Sequence, residues 1–386
     1  MDPVLPPTPE HTPRDLLTLL ESGEPLQIMD VRAPERVRQG AIDLLPAGRF
    51  HNIRGSVLMR HTAPETTGLS PGMPVVVVCG RGKDSAVLAF HLGRMGFEAS
   101  SLAGGMEAWM DFVVPRELDP PQSLDRLIQF DRPGKGSLSY LLISEGEAVL
   151  IDPPFRVASH LETLEDTGAE LVAVADTHAH ADYVSGGPAL AGRTGVPYHL
   201  HAADAVYPYD GRRGTVEFTE VAEGARVDFG RCSLEVVHTP GHTEGSVSFL
   251  VEDRVALTGD FLFVESIGRP DLGGLASEWG ELLWDSVRRV KEEWSRGIVV
   301  YPGHYASESE RRLGRAVGIA LADLLEENEI LGLAGREAFV EVVLANQAPV
   351  PEAYPKIKAV NLGLSQAKES EIPELELGRH ECGLGG

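Results

Sequence analysis

Cysteine is scarce in this chain: Cys79, Cys232 and Cys382 are the only three among 386 residues. So few, so spaced, they build no disulfide framework, which argues against a small secreted scaffold. No apolar stretch approaches the length that spans a bilayer. The N-terminal residues lack the basic start and apolar core of a signal peptide. A cytoplasmic protein without membrane attachment is the resulting expectation. Positive charge is also short, with 34 Lys and Arg against 58 Asp and Glu, a net charge of −24. That acidity repels phosphates and argues against nucleic acid as a partner. Any anionic substrate must be drawn in by a local cation. There is no internal repeat and no low-complexity tract.

What is present suggests two domains of α/β class. A Pro-rich stretch, Val114-Pro115-Arg116-Glu117-Leu118-Asp119-Pro120-Pro121, reads as an extended linker over 114–123. Before it, residues 1–113 alternate strand and helix. Leu26–Val31 and Val75–Val78 read as strands, and Ala86–Leu92 reads as a helix. This alternation predicts an open parallel sheet covered by helices. After the linker, residues 124–365 are richer in strands. Ser139–Ile143 and Ala148–Ile151 form an expected hairpin over Glu145-Gly146-Glu147. Strands Leu171–Ala175, Ser233–Val237, Arg254–Leu257 and Ile298–Val300 each run into a ligand-bearing loop. Two packed sheets with a site along one edge follow. Residues 366–386 read as an acidic, Gly-rich tail.

Cys79 ends the Val75–Val78 strand and precedes the helix, in the loop Gly80-Arg81-Gly82-Lys83-Asp84-Ser85. Such a loop aims several backbone N–H groups at one spot. With Arg81 and Lys83 nearby, the sulfur is placed as a nucleophile with room for a small anion. Cys232, at a strand start, reads as core.

The N-terminal segment resembles the rhodanese family of sulfurtransferases over residues 12 to 113. The matching residues are Asp30-Val31-Arg32 with Glu35, Gly40-Ala41-Ile42, Asn52-Ile53-Arg54-Gly55-Ser56, the Cys79 loop, and Leu102-Ala103-Gly104-Gly105-Met106-Glu107-Ala108-Trp109. The resemblance implies that Cys79 carries sulfane sulfur as a persulfide, with Arg81 and Lys83 holding the anion. Thiosulfate and sulfite are the implied small-molecule partners. The loop departs from the family at Gly80, where arginine is frequent, and at Asp84, a carboxylate that opposes thiosulfate.

The second domain carries metal-ligand residues in a fixed order: Thr177-His178-Ala179-His180-Ala181-Asp182-Tyr183, Thr239-Pro240-Gly241-His242, Thr258-Gly259-Asp260 and Gly303-His304. Four of the chain's 13 histidines fall in these clusters. Two imidazoles and a carboxylate with open positions suit non-heme Fe(II), whereas three histidines and a bridging carboxylate suit zinc. His199 and His201 lack a matching carboxylate and read as structural or surface residues.

These clusters, with Ile151-Asp152-Pro153, resemble the metallo-β-lactamase superfamily over about residues 124–365. The implied fold is an αββα sandwich. The segment Ile267-Gly268-Arg269-Pro270-Asp271-Leu272 is similar to one in persulfide dioxygenases, which implies that Arg269 holds the substrate. Tyr183 stands where two-zinc hydrolases of the glyoxalase II type have a histidine. The resemblance therefore implies one Fe(II) per chain on His178, His242 and Asp260, with His180, Asp182 and His304 as outer residues or alternative ligands. It implies oxidation of a small thiol persulfide, such as glutathione persulfide, by O2 to sulfite. A zinc thioester hydrolase and a sulfane-sulfur binding or sensing protein are the alternatives. A homodimer is left open.

Overall fold

Val75–Val78, four buried β-branched residues, forms the centre of a five-stranded parallel sheet. Gln27–Asp30 and Ala99–Leu102 flank it, and Phe50–Asn52 and Glu10–His11 form the edges. Every recorded pairing in this sheet is parallel. Met29, Val75 and Val77 pack with Leu88, Ala89 and Leu92 of the helix Lys83–Arg94. Sheets of this kind are buried on both faces, which is why the strand is apolar without alternation.

The computed structural model describes residues 8–42, 44–313 and 315–384. Residues 1–7 of the expected first domain and 385–386 of the expected tail lie outside the described residues. Contacts divide the chain into two units. One runs through Phe112 and adds Arg132–Lys135 and Leu377–Arg379. The other comprises Val113–Asp131, Gly136–Glu376 and the residues from His380 on.

The second unit contains a seven-stranded and a six-stranded sheet. Period-two alternation explains their layering. In the strand Ser137–Ser144, Leu138, Tyr140 and Leu142 join the core between the sheets, with Val236, Phe249, Leu257 and Val300 from the other sheet. Leu141 and Ile143 point to the opposite face, where Leu190 and Ala191 of the helix Gly187–Thr194 cover them. The outer face of the six-stranded sheet is covered by the helix Ala276–Glu293 through Leu283, Val287 and Val290. The expected hairpin forms, with Ser144 opposite Glu147. Its two-residue turn places Glu145 and Gly146 at φ 51° and 81°, the primed geometry that matches strand twist.

Two expected boundaries are corrected. The 114–123 segment is not simply a linker, because Val114–Leu118 pairs antiparallel with Arg126–Arg132 as an edge strand. An edge tolerates Pro115, whose missing N–H can face away from the ladder. Arg116 also pairs with the buried Asp131 at 2.9 Å. Likewise the described part of the 366–386 tail is built into the fold. Ile372–Leu375 is a short helix, and Cys382 and Leu384 are buried. Arg269 N–H donates to the Cys382 carbonyl at 2.9 Å, and Leu384 N–H to that of Ile267 at 3.1 Å. Of the tail's acids, Glu376 accepts the Val184 N–H at 2.9 Å. Among the described residues, no helix is long and apolar enough to cross a membrane.

Candidate metal centre

Each ligand-bearing loop begins where a strand stops pairing. Glu170–Ala175 leads to His178, Cys232–His238 to His242, Val255–Gly259 to Asp260, and Val299–Pro302 to His304. Thus residues far apart in sequence reach one edge of the sandwich. His178, His242 and Asp260 are buried, and each offers a ligand atom within 4.8 Å of the others. Asp260 Oδ2 lies 3.6 Å from His178 Nε2 and 3.4 Å from His242 Nε2.

Outer hydrogen bonds fix which atoms face inward. Thr177 Oγ1 donates to Asp152 Oδ2 at 2.9 Å and so accepts from His178 Nδ1–H at 3.0 Å. His242 Nδ1–H donates to the Arg269 carbonyl at 3.0 Å. Both imidazoles therefore present Nε2 lone pairs. Asp260 Oδ1 is taken by His304 Nδ1 at 2.6 Å, which leaves Oδ2. His178 Nε2 and Asp260 Oδ2 are buried without a hydrogen-bond partner. Such atoms are costly unless something pairs with them. Two imidazole nitrogens and one carboxylate oxygen converging in this way fit a divalent metal ion with open positions.

The remaining expected residues are committed elsewhere. His180 Nε2 lies 3.2 Å from Asp152 Oδ1 and 2.9 Å from the Tyr183 hydroxyl. His304 Nε2 bonds Asp182 Oδ2 at 2.9 Å, so His304 bridges Asp182 and Asp260. Asp152 holds the His178 loop by accepting the Thr177 N–H at 2.7 Å, from a left-handed φ of 54°. That conformation is uncommon for aspartate and is maintained here by these contacts.

Burial and neighbouring charge set the protonation states in the metal-free protein. Burial lowers His178 well below the usual histidine range, and His180 adds to the effect. His242 is lowered, chiefly by burial. Neutral imidazoles are what metal ligation needs. Burial would also lower His180 and His304, but carboxylates outweigh it. Asp152 and Asp176 help push His180 up to about 9, and Asp260 and Asp182 push His304 up to about 10. Burial raises Asp260, yet His304, His178 and His242 together hold it well below the usual carboxylate range.

Arg269 departs from the expected substrate contact. Its side chain is 1% exposed and pairs with Asp271, at 2.7 Å from Nε and 2.5 Å from Nη2. It also donates to the carbonyls of Glu381 and Ala348. The guanidinium thus ties the C-terminal segment down, and its backbone carbonyl orients His242. The turn needs Gly268 before it, since a Cβ there would overlap the Asp260 carbonyl oxygen. Removing one member of a buried pair typically costs about 3–5 kcal/mol. Arg269→Ala should therefore lower the melting temperature by roughly 5–15 °C, read by calorimetry. The folded variant should keep its Michaelis constant. An unaltered melting temperature with a raised Michaelis constant would restore the substrate role.

Several residues at the site carry no sequence signal. Asp204 accepts from the Ala179 N–H at 2.6 Å, the Gly245 N–H at 2.8 Å and Thr243 Oγ1 at 2.9 Å, joining the His178 and His242 loops. Asn361 donates to the His180 and Tyr183 carbonyls at 2.8 and 2.9 Å. Neither lies in a motif, and only the tertiary contacts reveal them.

In the first unit, Cys79 Sγ is buried in its loop. It accepts the Gly82 N–H at 3.1 Å and lies 3.3 Å from Ser85 Oγ. Gly105, at φ 60°, packs so closely that a Cβ would strike Cys79 O and the N–H groups of Arg81 and Gly82. The Arg81 side chain is 83% exposed and pairs with Glu107 at 3.3 Å. Lys83 is the first residue of the helix.

Comparisons with known proteins agree with this architecture. Residues 132–318 match the metallo-beta-lactamase superfamily and residues 12–112 the rhodanese-like domain. A hydroxyacylglutathione hydrolase of Anaeromyxobacter dehalogenans is 34% identical over 239 residues, covering 60% of this chain and 84% of that protein. The mitochondrial persulfide dioxygenase ETHE1 of Bos taurus is 28% identical over 235 residues, 57% of this chain and 87% of its own. The crystal structure of ETHE1 from Myxococcus xanthus is similar with a TM-score of 0.52 and 26% identity, over 66% of this chain and all 100% of that one. With the sandwich, the strand-end ligands and these matches together, the chain belongs to the metallo-beta-lactamase superfamily and carries a rhodanese-like domain ahead of its metal-site domain.

Proposed function

We propose that this protein is a persulfide dioxygenase coupled to a sulfurtransferase, with one Fe(II) held by His178, His242 and Asp260. The observation that carries the reading is the two-histidine, one-carboxylate set in which His178 Nε2 and Asp260 Oδ2 are buried without a hydrogen-bond partner. His180 Nε2 is bonded to Asp152 and Tyr183, and Asp182 Oδ2 to His304, while Asp152, Asp176 and His180 form a further group of potential ligands that a second ion would have to take from these bonds. The ETHE1 relatives favour the same chemistry.

The overall reaction takes one thiol persulfide, one O2 and one water to one thiol and one sulfurous acid, which ionises to sulfite. Fe(II) held by His178, His242 and Asp260 would supply the redox chemistry for O2. The chain's own residues supply the geometry. The Asp182–His304 pair holds Asp260 Oδ1 and so aims Oδ2. Thr177 and the Arg269 carbonyl keep both ligand imidazoles in the Nε2-facing tautomer. In the other domain, the Cys79 thiolate would attack a sulfane sulfur, release the donor's leaving group and hold the sulfur as a persulfide. A thiol acceptor would then remove it.

A zinc-dependent thioester hydrolase is the second reading, favoured by the 34% identity to the hydroxyacylglutathione hydrolase. Element analysis and O2 uptake separate the two. Protein purified anaerobically from iron-replete cells should contain one iron per chain and consume O2 with glutathione persulfide. Two zinc ions per chain with thioester hydrolysis and no O2 uptake would reject the dioxygenase.

A further inference from the structure

The helix Tyr354–Asn361 lies outside every motif, yet it borders the metal centre. Tyr354, Lys358 and Asn361 fall at i, i+4 and i+7, which is one helix face. Both ends of that face are located by contacts. Tyr354 clusters with Ala181, Phe263, Leu272 and Cys382. Asn361 holds the carbonyls of His180 and Tyr183 in the ligand loop. Lys358, between them, is directed to the same side and is 2% exposed.

Among the described residues, no acceptor bonds the Lys358 ammonium and no carboxylate pairs with it. A buried cation without a partner is unfavourable and rare. Its helix face is set against the ligand loop by the Asn361 bonds to the His180 and Tyr183 carbonyls. Burial lowers Lys358 itself from the usual lysine range, while Asp204, Cys382 and Asp260 oppose that shift. With Arg269 bound to Asp271, Lys358 is a cation on the helix face that meets the ligand loop. On a chain of net charge −24, an anionic substrate needs such a group.

We infer that Lys358 anchors the anionic part of the substrate, a small thiol compound bearing a carboxylate, beside His178, His242 and Asp260. The identity of that compound as a thiol persulfide rests on the function proposed above, whereas the charge preference does not. Lys358 is thus a positioning and specificity residue and takes no part in bond making.

The test uses full-length, iron-loaded protein under anaerobic conditions, with reduced glutathione and its diethyl ester as calorimetric probes. Wild type should bind glutathione roughly 10- to 100-fold more tightly than the ester. Lys358→Gln and Lys358→Met should lose that preference while binding the ester as wild type does. With glutathione persulfide, their Michaelis constants should rise by the same factor and turnover should hold. Their melting temperatures should stay level or rise, since an unpaired buried charge has been removed. Retention of the preference in either variant, or its absence in wild type, overturns the inference. So does a lower melting temperature in both variants, which would make Lys358 structural. Failure of the dioxygenase reading shows separately, as no O2 uptake by wild type with glutathione persulfide.

Discussion

Asp260→Ala protein should purify folded but without its metal, and its O2 uptake with persulfide should vanish. Among the described residues, Asp260 Oδ2 is the one carboxylate oxygen that meets both His178 Nε2 and His242 Nε2, at 3.6 and 3.4 Å. Removing an outer partner of a metal ligand costs about 10- to 100-fold in metal affinity or activity. Losing a ligand should cost more. His304→Ala serves as the graded comparison, since it leaves the ligand in place but removes the hydrogen bonds to Asp260 Oδ1 and Asp182 Oδ2, and should lose metal partially. Element analysis after dialysis, with circular dichroism to confirm folding, reads both variants. Full occupancy in Asp260→Ala would mean that another carboxylate, Asp182 first among them, is the ligand.

Cys79→Ser should reduce sulfur transfer from thiosulfate to cyanide by about 1000-fold or more, because a hydroxyl cannot carry transferable sulfur. The fold should survive. Serine is nearly the same size, and its oxygen can still take the Gly82 N–H that Sγ accepts at 3.1 Å. The same variant should keep its O2 uptake with free glutathione persulfide, since His178, His242 and Asp260 belong to the other unit and Cys79 is not among them. His178→Ala should show the opposite pattern. Loss of both activities in Cys79→Ser would mean that the sulfur must pass through Cys79, and the two sites would not be independent.

Where the candidate ligands sit on the fold was legible in the sequence because each position depends on a local pattern. An apolar run ending in Thr, Gly or Pro marks a strand end, and a His or Asp just beyond it must sit at the sheet's edge. His178, His242, Asp260 and His304 all obey this rule. The Cys79 loop is equally local, set by a buried strand, two glycines and a helix start. The hairpin at Glu145-Gly146 follows from turn chemistry alone.

Partner choice was not legible. Arg269 reads as a substrate cation in its own segment, but its carbonyl acceptors lie 79 and 112 residues away. Lys358 and Asn361 sit on an ordinary amphipathic helix whose docking against the ligand loop no periodicity announces. The 366–384 segment reads as polar tail, yet Cys382 and Leu384 are held by backbone bonds to Arg269 and Ile267. The expected linker became a strand because an open sheet edge accepted it. By itself the sequence determined which residues could serve as ligands and nucleophile, since those depend on strand and turn chemistry within a few residues. Only the tertiary structure decided which charges are paired and which face the centre, because a long side chain takes whatever acceptor packing brings within hydrogen-bond reach.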